Sequence, residues 1–258
     1  MAPPLVFITG ASSGIGQALA QRYLRAGWRV ALVARRRNVI ESWLGHCGAS
    51  ADSYAIYTAD VTRTATILAA ARACIAGQGL PDVVIANAGI SVGMDTARPE
   101  DLAVLERVLA TNVTGLAATL QPFIAPMVAR GSGRLVGIAS IAGARGLPGH
   151  AAYCASKAAV ISYCESLRGE LRGSGVHVFT LSPGFVATPL TARNRYPMPF
   201  LLQPDDFAER AFRAVASGAS YRVIPWQMAV AARLLPLVPD ALFDRLLAGR
   251  ARKHREGE

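Results

Sequence analysis

The 258-residue sequence predicts an α/β protein: one doubly wound parallel sheet of about seven strands with helices on both faces. Three observations carry this. Short, near-continuous apolar runs alternate with segments of helical spacing from the first residues onward. Hydrophobic residues make up 52% of the chain against 17% charged, enough to fill one sizeable core. No linker, composition shift or internal repeat divides the chain, so residues 1–258 read as a single domain.

The elements follow in order. "PLVFITG" is a strand ending at a glycine turn, and "GQALAQRYLRAG" is a helix with Ala18, Leu19, Tyr23 and Leu24 on one face and Gly27 just past its end. "WRVALVA" is a second strand, followed by a weaker helix over residues 37–46. "SYAIYTA" and "PDVVIANAG" are the third and fourth strands, separated by the helix "TRTATILAAARACIAG". Residues 99–130 read as one long helix, with a kink expected near Pro122 and Pro126. "GRLVGIAS" is the fifth strand, residues 150–172 a long helix, "VHVFTLSPG" the sixth strand and "YRVIP" a seventh at the sheet edge. Right-handed crossovers then place ligands at the carboxyl ends of the strands, at the switch in strand order. Functional residues are therefore expected where strands end.

The chain-wide properties narrow the class. "MAPPLVFITGASSG" is already a strand and turn, so a signal peptide is not expected, and no uninterrupted apolar stretch has the length of a membrane span. Cys47, Cys74, Cys154 and Cys164 lack metal-ligand spacing and read as reduced thiols of a cytoplasmic protein, Cys154 as a half-buried one. The net charge of +10 suits an Arg-rich soluble surface, an anionic cofactor or an anionic membrane. Nucleic acid is the weakest reading, since no basic stripe is interleaved with aromatics. Of 27 basic residues only Lys157 and Lys253 are lysines, so Lys157 in "YCASK" points to a site that needs a compact ammonium.

The first strand ends in "TGASSGIG", residues 9–16. Gly10 permits a tight turn, Gly14 lets backbone approach a pyrophosphate, and Gly16 lets the helix pack closely on the strand. The helix N-terminus adds amide donors and a positive dipole end, as dinucleotide phosphates require. The second strand ends in Arg35-Arg36-Arg37 with no acid to accept from a ribose 2′-hydroxyl. An arginine forks onto a 2′-phosphate. NADP(H) is therefore expected, chiefly through Arg35, with help from Arg36 or Ser13. Asp60 and Val61 end the third strand, and Asn87, Ala88 and Gly89 the fourth, where adenosine and ribose would pass. Taken alone, Asp60 reads as an N-cap for a helix starting near Thr62.

The fifth strand ends at Ser140, and "YCASK" opens the following helix. Tyr153 and Lys157 are four residues apart and share one helix face. A neighbouring ammonium is expected to lower the tyrosine from its ordinary value of about 10, suiting it to proton transfer with a carbonyl or alcohol. Ser140 can hydrogen-bond the reacting oxygen. Asn112 in "TNVTG" can orient a water near Lys157.

Together "TGASSGIG", "ADV", "NAG", "NVTG", Ser140, "YCASK" and "SPGFVAT" resemble, in order and spacing, the short-chain dehydrogenase/reductase family. The resemblance implies a Rossmann fold and a catalytic tetrad of Asn112, Ser140, Tyr153 and Lys157. It makes Tyr153 the acid/base, with Ser140 fixing the substrate carbonyl and Lys157 also holding the nicotinamide ribose. It adds Ser12 and Ile15 to the glycine-loop contacts and makes Pro183, Gly184, Phe185, Val186 and Thr188 the border of the nicotinamide. No metal is implied. Homo-oligomers, dimeric or tetrameric, are common in that family, often through the long fourth and fifth helices.

Residues 189–219 are expected to form the substrate lid, with Tyr196, Met198, Phe200, Leu201 and Leu202 lining it and Pro197 and Pro199 limiting its motion. The tail 227–258 carries apolar stripes through Leu234, Leu235, Leu237, Val238, Leu242, Phe243, Leu246 and Leu247, then the basic run Arg250, Arg252, Lys253 and Arg255. It would pack on the core, meet a second subunit, or lie on an anionic membrane as a peripheral contact. The expected function is NADPH-dependent reduction of an apolar ketone or aldehyde. The alternatives are a dehydrogenase working in the oxidative direction and a non-catalytic NADP(H)-binding scaffold.

Overall fold

The computed structural model describes residues 2–192, 194, 196–249 and 252–255, so Arg250 of the basic run lies outside the described residues. The seven expected strands form: β1 (Leu5–Thr9), β2 (Arg29–Ala34), β3 (Tyr54–Thr58), β4 (Val83–Ala86), β5 (Gly133–Ile138), β6 (Val176–Pro183) and β7 (Tyr221–Ile224). They make one parallel sheet in the order β3-β2-β1-β4-β5-β6-β7. Winding reverses between β1 and β4, with Ile8 paired to Leu32 on one side and Ile85 on the other. The helices are α1 (Gly14–Arg25), α2 (Arg37–Cys47), α3 (Thr64–Gln78), α4 (Leu102–Leu109), α5 (Gly115–Arg130), α6 (Ala151–Glu170), α7 (Pro204–Ala216), α8 (Trp226–Leu234) and α9 (Asp240–Leu247).

Alternation along the strands divides the core into two layers. Val6 and Ile8 of β1 face one layer with Leu19 and Tyr23 of α1, Ile40 of α2 and Phe207 of α7. Leu5 and Phe7 face the other with Ile67 of α3, Phe123 of α5 and Val160 of α6. Phe7 and Phe123 meet at 4.9 Å between ring centroids. Each such fully buried side chain contributes about 1.5–3 kcal/mol relative to an exposed one. These layers hold the strand ends rigidly, which positions the site.

Three expectations change. The break in α geometry within residues 99–130 is not at Pro122 or Pro126 but at the π turn Ala110–Thr114, where the Gly115 N–H donates to the Ala110 carbonyl. The helical run Pro99–Arg130 is long and apolar enough by length and composition to cross a bilayer, because its polar residues do not interrupt the helix. Half of its most apolar stretch is buried, with Leu116, Leu120, Phe123 and Met127 packed on the sheet. Residues 189–219, expected as one lid segment, include α7, which buries Phe207, Ala208 and Ala211 in the core against α1.

In the tail, Met228 and Phe243 are buried, and the Arg145 guanidinium stacks on Phe243 at 3.9 Å. The same guanidinium donates to the carbonyls of Leu235 (2.6 Å) and Val238 (2.5 Å) and pairs with Asp240 (2.7 Å). Arg145 of the β5–α6 loop thus anchors this part of the tail to its own chain. Trp226, Leu234, Leu237, Leu242 and Leu246 stay exposed.

Candidate active site

One cleft of about 650 Å³ runs across the carboxyl ends of the central strands at the reversal of strand order. Its floor begins where β1 meets β4. The Thr9 hydroxyl accepts from the N–H groups of Asn87 (3.1 Å) and Ala88 (3.2 Å), and Asn87 Nδ2 donates to the Thr9 carbonyl at 2.9 Å. Sequence reasoning passed over Thr9; a hydroxyl at the last position of a strand, opposite a neighbouring strand's end, was the available signal. Gly10 and Gly14 have φ of 70° and 57°. A Cβ at Gly16 would overlap the Gly10 carbonyl oxygen and Asn87 Nδ2, so α1 rests directly on the loop. Ser13 precedes α1 in extended conformation, with no side-chain capping bond.

Basic side chains flank this loop. Arg36 Nη2 donates to Ser12 Oγ at 3.1 Å, while Arg35 is 71% exposed and reaches Asp60 at 3.8 Å. Arg36 is thus tied to the glycine loop and Arg35 to the end of β3. Asp60 does not cap α3, which starts at Thr64 after Arg63; its Oδ1 accepts from the Thr62 N–H (3.0 Å) and hydroxyl (2.8 Å). Burial raises the Asp60 carboxyl, but the two Thr62 bonds and Arg35 outweigh it, and the net shift is downward.

At the other end, the Ser140 hydroxyl accepts from the Ala142 N–H at 3.2 Å, opening the short turn Ile141–Gly143. A Cβ at Gly143 would stand 2.7 Å from the Lys157 carbonyl carbon, so this turn lies flat on the α6 backbone. That contact brings Ser140 beside Tyr153, close enough to lower its phenol. Lys157 is buried and donates from Nζ to the Ile138 carbonyl at 2.8 Å. Asn112 is fully buried on the π turn. Its Oδ1 accepts from the Ile90 N–H (2.8 Å), and its Nδ2 donates to the Ile90 carbonyl (2.9 Å) and Ser156 Oγ (2.9 Å). It therefore joins the helix, the β4 loop and α6. The wider π turn supplies the room for that junction.

The expected sign of the Tyr153 shift is reversed. Burial pushes the phenol up to about 12, against a lowering by the nearby Ser140 hydroxyl. The Lys157 ammonium lies 5.8 Å from the Tyr153 ring centroid and is directed at the Ile138 carbonyl, and burial lowers it to about 8. Four-residue spacing makes the two neighbours, but it does not aim the ammonium at the phenol oxygen.

The third wall is the segment after β6. Leu202 pairs with it through Leu202 N–H to Phe185 carbonyl (3.0 Å) and Ala187 N–H to Leu202 carbonyl (2.9 Å). A Cβ on Gly14 would come within 3.2 Å of Thr188, so this wall closes over the glycine loop. Tyr196 of the lid hydrogen-bonds His150 at 3.2 Å and meets Phe185 at 6.2 Å between centroids. Phe200 and Leu201, expected to line the lid, are 54% and 42% exposed, and Phe200 has φ of 56°. Cys154 is buried rather than half-buried.

The cleft is lined by Gly10, Ser12, Ser13, Gly14 and Ile15, by Arg35 and Arg36, by Asp60 and Val61, and by Asn87, Ala88 and Gly89. Ser140, Tyr153, Lys157, Pro183, Gly184, Val186 and Thr188 complete it. Gly16 and Asn112 stand behind the wall, and Phe185 is not among the lining residues. Ile90, Val92, Arg107 and Thr111 also line it and were not anticipated, and Leu190, within the expected lid range, lines it too.

This geometry can hold an elongated anionic cofactor with a phenol, a hydroxyl and an ammonium at one end. The comparisons with known proteins agree. An uncharacterized oxidoreductase of Myxococcus xanthus is 42% identical over 92% of this chain and 93% of its own length. A short-chain dehydrogenase of Streptomyces avermitilis superposes with a TM-score of 0.81 at 25% identity, covering 95% of each chain. The closed form of a serine dehydrogenase complexed with NADP+ superposes with a TM-score of 0.78 at 26% identity, over 85% of this chain and 94% of the other. Residues 4–198 match the family described as short chain dehydrogenase, and the chain belongs to that family of oxidoreductases.

Proposed function

We propose that the protein reduces a ketone or aldehyde to the alcohol with NADPH. The observation that carries this reading is one cleft with two unlike ends. Tyr153, Ser140 and Lys157 stand at one end, and Arg35 and Arg36, with no acid on the β2 end, at the other. The residues fit the cofactor: the glycine loop offers a backbone cradle at the start of α1, and the two guanidinium groups suit a 2′-phosphate. NADPH, when bound, supplies the hydride.

The protein's own groups supply the rest. Tyr153, raised to about 12, stays protonated at neutral pH and donates its proton to the developing alkoxide oxygen. Ser140 donates a hydrogen bond to the same oxygen. Lys157, lowered to about 8, still carries its charge near neutrality and steadies the growing negative charge on the phenol oxygen. Asn112 acts as a positioning residue, holding α6 against the β4 loop. Ile90, Val92 and Leu190 give the substrate's body an apolar wall.

The exposed stripe of Trp226, Leu234, Leu237, Leu242 and Leu246 supports surface contact by the tail, with a second copy or an anionic bilayer. Sedimentation with and without anionic liposomes separates the two.

The reading is tested by NADPH oxidation against a carbonyl panel running from small polar ketones to long-chain 3-oxo compounds, with Tyr153→Phe alongside. Turnover that disappears in the Phe variant is expected. NADPH binding without Tyr153-dependent turnover would contradict the enzyme reading and favour a cofactor-binding scaffold.

A further inference from the structure

The chain's second lysine is brought to the substrate side of the cleft by the end of the tail. Residues 252–255 dock beside Gly93, Asp101 and Gly149. Gly93, beyond the β4 loop, donates its N–H to the His254 carbonyl at 3.0 Å and pairs with Arg255 as a parallel bridge. The Arg255 guanidinium grips buried Asp101 in a fork, at 2.8 and 2.9 Å. Arg252 lies against Gly149, just before α6 and Tyr153. Between these anchors, Lys253 extends to the opposite wall and donates from Nζ to the carbonyl of Leu190, a cleft-lining residue, at 3.2 Å.

Lys253 thus joins the tail to Leu190, a residue of the cleft wall. Its charge is felt at His150, whose ring bonds Tyr196, and Tyr196 in turn lies close enough to influence Tyr153. Among the described residues Lys253 has no carboxylate partner, whereas Arg145 and Arg255 of the same region are each paired with acids. A partly buried ammonium whose acceptor is a neutral carbonyl exchanges it favourably for an anion. Burial lowers this ammonium to about 8, so it carries its charge at neutral pH.

We propose that Lys253 is a substrate-recognition residue, which takes the anionic end of an oxo acid whose carbonyl lies at Tyr153 and whose apolar middle lies along Ile90, Val92 and Leu190. This rests on the reductase reading for the carbonyl and adds the substrate class: a carbonyl compound carrying a carboxylate, sulfonate or phosphate at its far end.

The test reads binding, not turnover. The full-length protein, with and without saturating NADPH, is titrated calorimetrically with straight-chain carboxylates of increasing length and with the matching primary amides. At the best length the carboxylate is expected to bind about tenfold more tightly than the amide, the margin between a charge-assisted and a neutral hydrogen bond. Lys253→Gln keeps a donor for Leu190 and leaves the Arg255–Asp101 anchor intact, and it is expected to erase the preference. Lys253→Arg is expected to keep it. Equal affinity for carboxylate and amide, no carboxylate binding at any length, or a preference that survives Lys253→Gln would each overturn the proposal. A failed reductase assay would not change this result, so the two readings fail separately.

Discussion

The buried Lys157 has a consequence for stability that separates its environment from its chemistry. An ordinary lysine titrates at 10.5, and burial in the fold lowers Lys157 to about 8. Its charged form is therefore disfavoured in the native state. Between those two values the unfolded chain binds more protons than the folded one, so the lysine's unfavourable contribution shrinks as pH rises. Below about pH 8 it is fully present, and it is gone above the unfolded value. A tenfold change in proton affinity corresponds to about 1.4 kcal/mol, so the penalty is about 3 kcal/mol at neutrality, and about 2–3 kcal/mol of it is relieved by pH 10. Lys157→Met removes the titration. It also leaves the Ile138 carbonyl without its donor, but that loss does not depend on pH and enters as a constant offset. The assay is urea denaturation of both proteins without nucleotide, at steps from about pH 7 to about pH 10, where other groups cancel in the difference. The wild-type midpoint should gain on the variant's by about 1 M urea across that range, given a slope of about 2–3 kcal/mol per M for a chain of this size. Parallel midpoints, or a gain by the variant, would refute the argument that Lys157 is held charged against burial.

Three further outcomes follow from the same geometry. Arg36→Ala is expected to weaken NADPH binding by about tenfold or more and NADH by less than about twofold, as loss of a charge-assisted phosphate contact implies; equal losses for both would remove Arg36 from the phosphate site. Asn112→Ala removes three hydrogen bonds, one of them fully buried, and should destabilise the protein by about 1–3 kcal/mol, read as a lower urea midpoint, because the Ile90 N–H and carbonyl lose their partner while Ser156 keeps only its bond to the Tyr153 carbonyl. Gly143→Val should push the Ser140 turn off the Lys157 backbone, lowering turnover while NADPH affinity stays within about twofold; full turnover would show that the close approach is not needed.

Much of this was legible in the residues. Each strand was an apolar run bounded by turn residues, and buried parallel strands have that pattern because both faces are covered. The site was legible for the same reason: its residues stand at strand ends, and a doubly wound sheet collects those ends at one crevice. Other features rest on contacts that no local pattern encodes. Arg255 meets Asp101 across 154 positions, so the docking of the tail left no periodic trace. Spacing placed Lys157 beside Tyr153 but said nothing about the depth of burial, and burial set both shifts. The α7 helix was legible and was nonetheless folded into the lid: Phe207, Ala208, Ala211, Ala214 and Val215 form a core-facing stripe. Phe200 read as a lid-lining residue by its hydrophobicity, and it is exposed, on a backbone with positive φ.

The central claim is that a hydride passes from NADPH to a carbonyl carbon as Tyr153 protonates the oxygen. The most direct test is product analysis after turnover with NADPH carrying deuterium at both positions of the transferring carbon, using a carbonyl that proves active in the panel. The account predicts one deuterium on the new alcohol carbon, with one stereochemistry, and almost none formed by Tyr153→Phe. Unlabelled alcohol, or label transfer undiminished in the Phe variant, would contradict it.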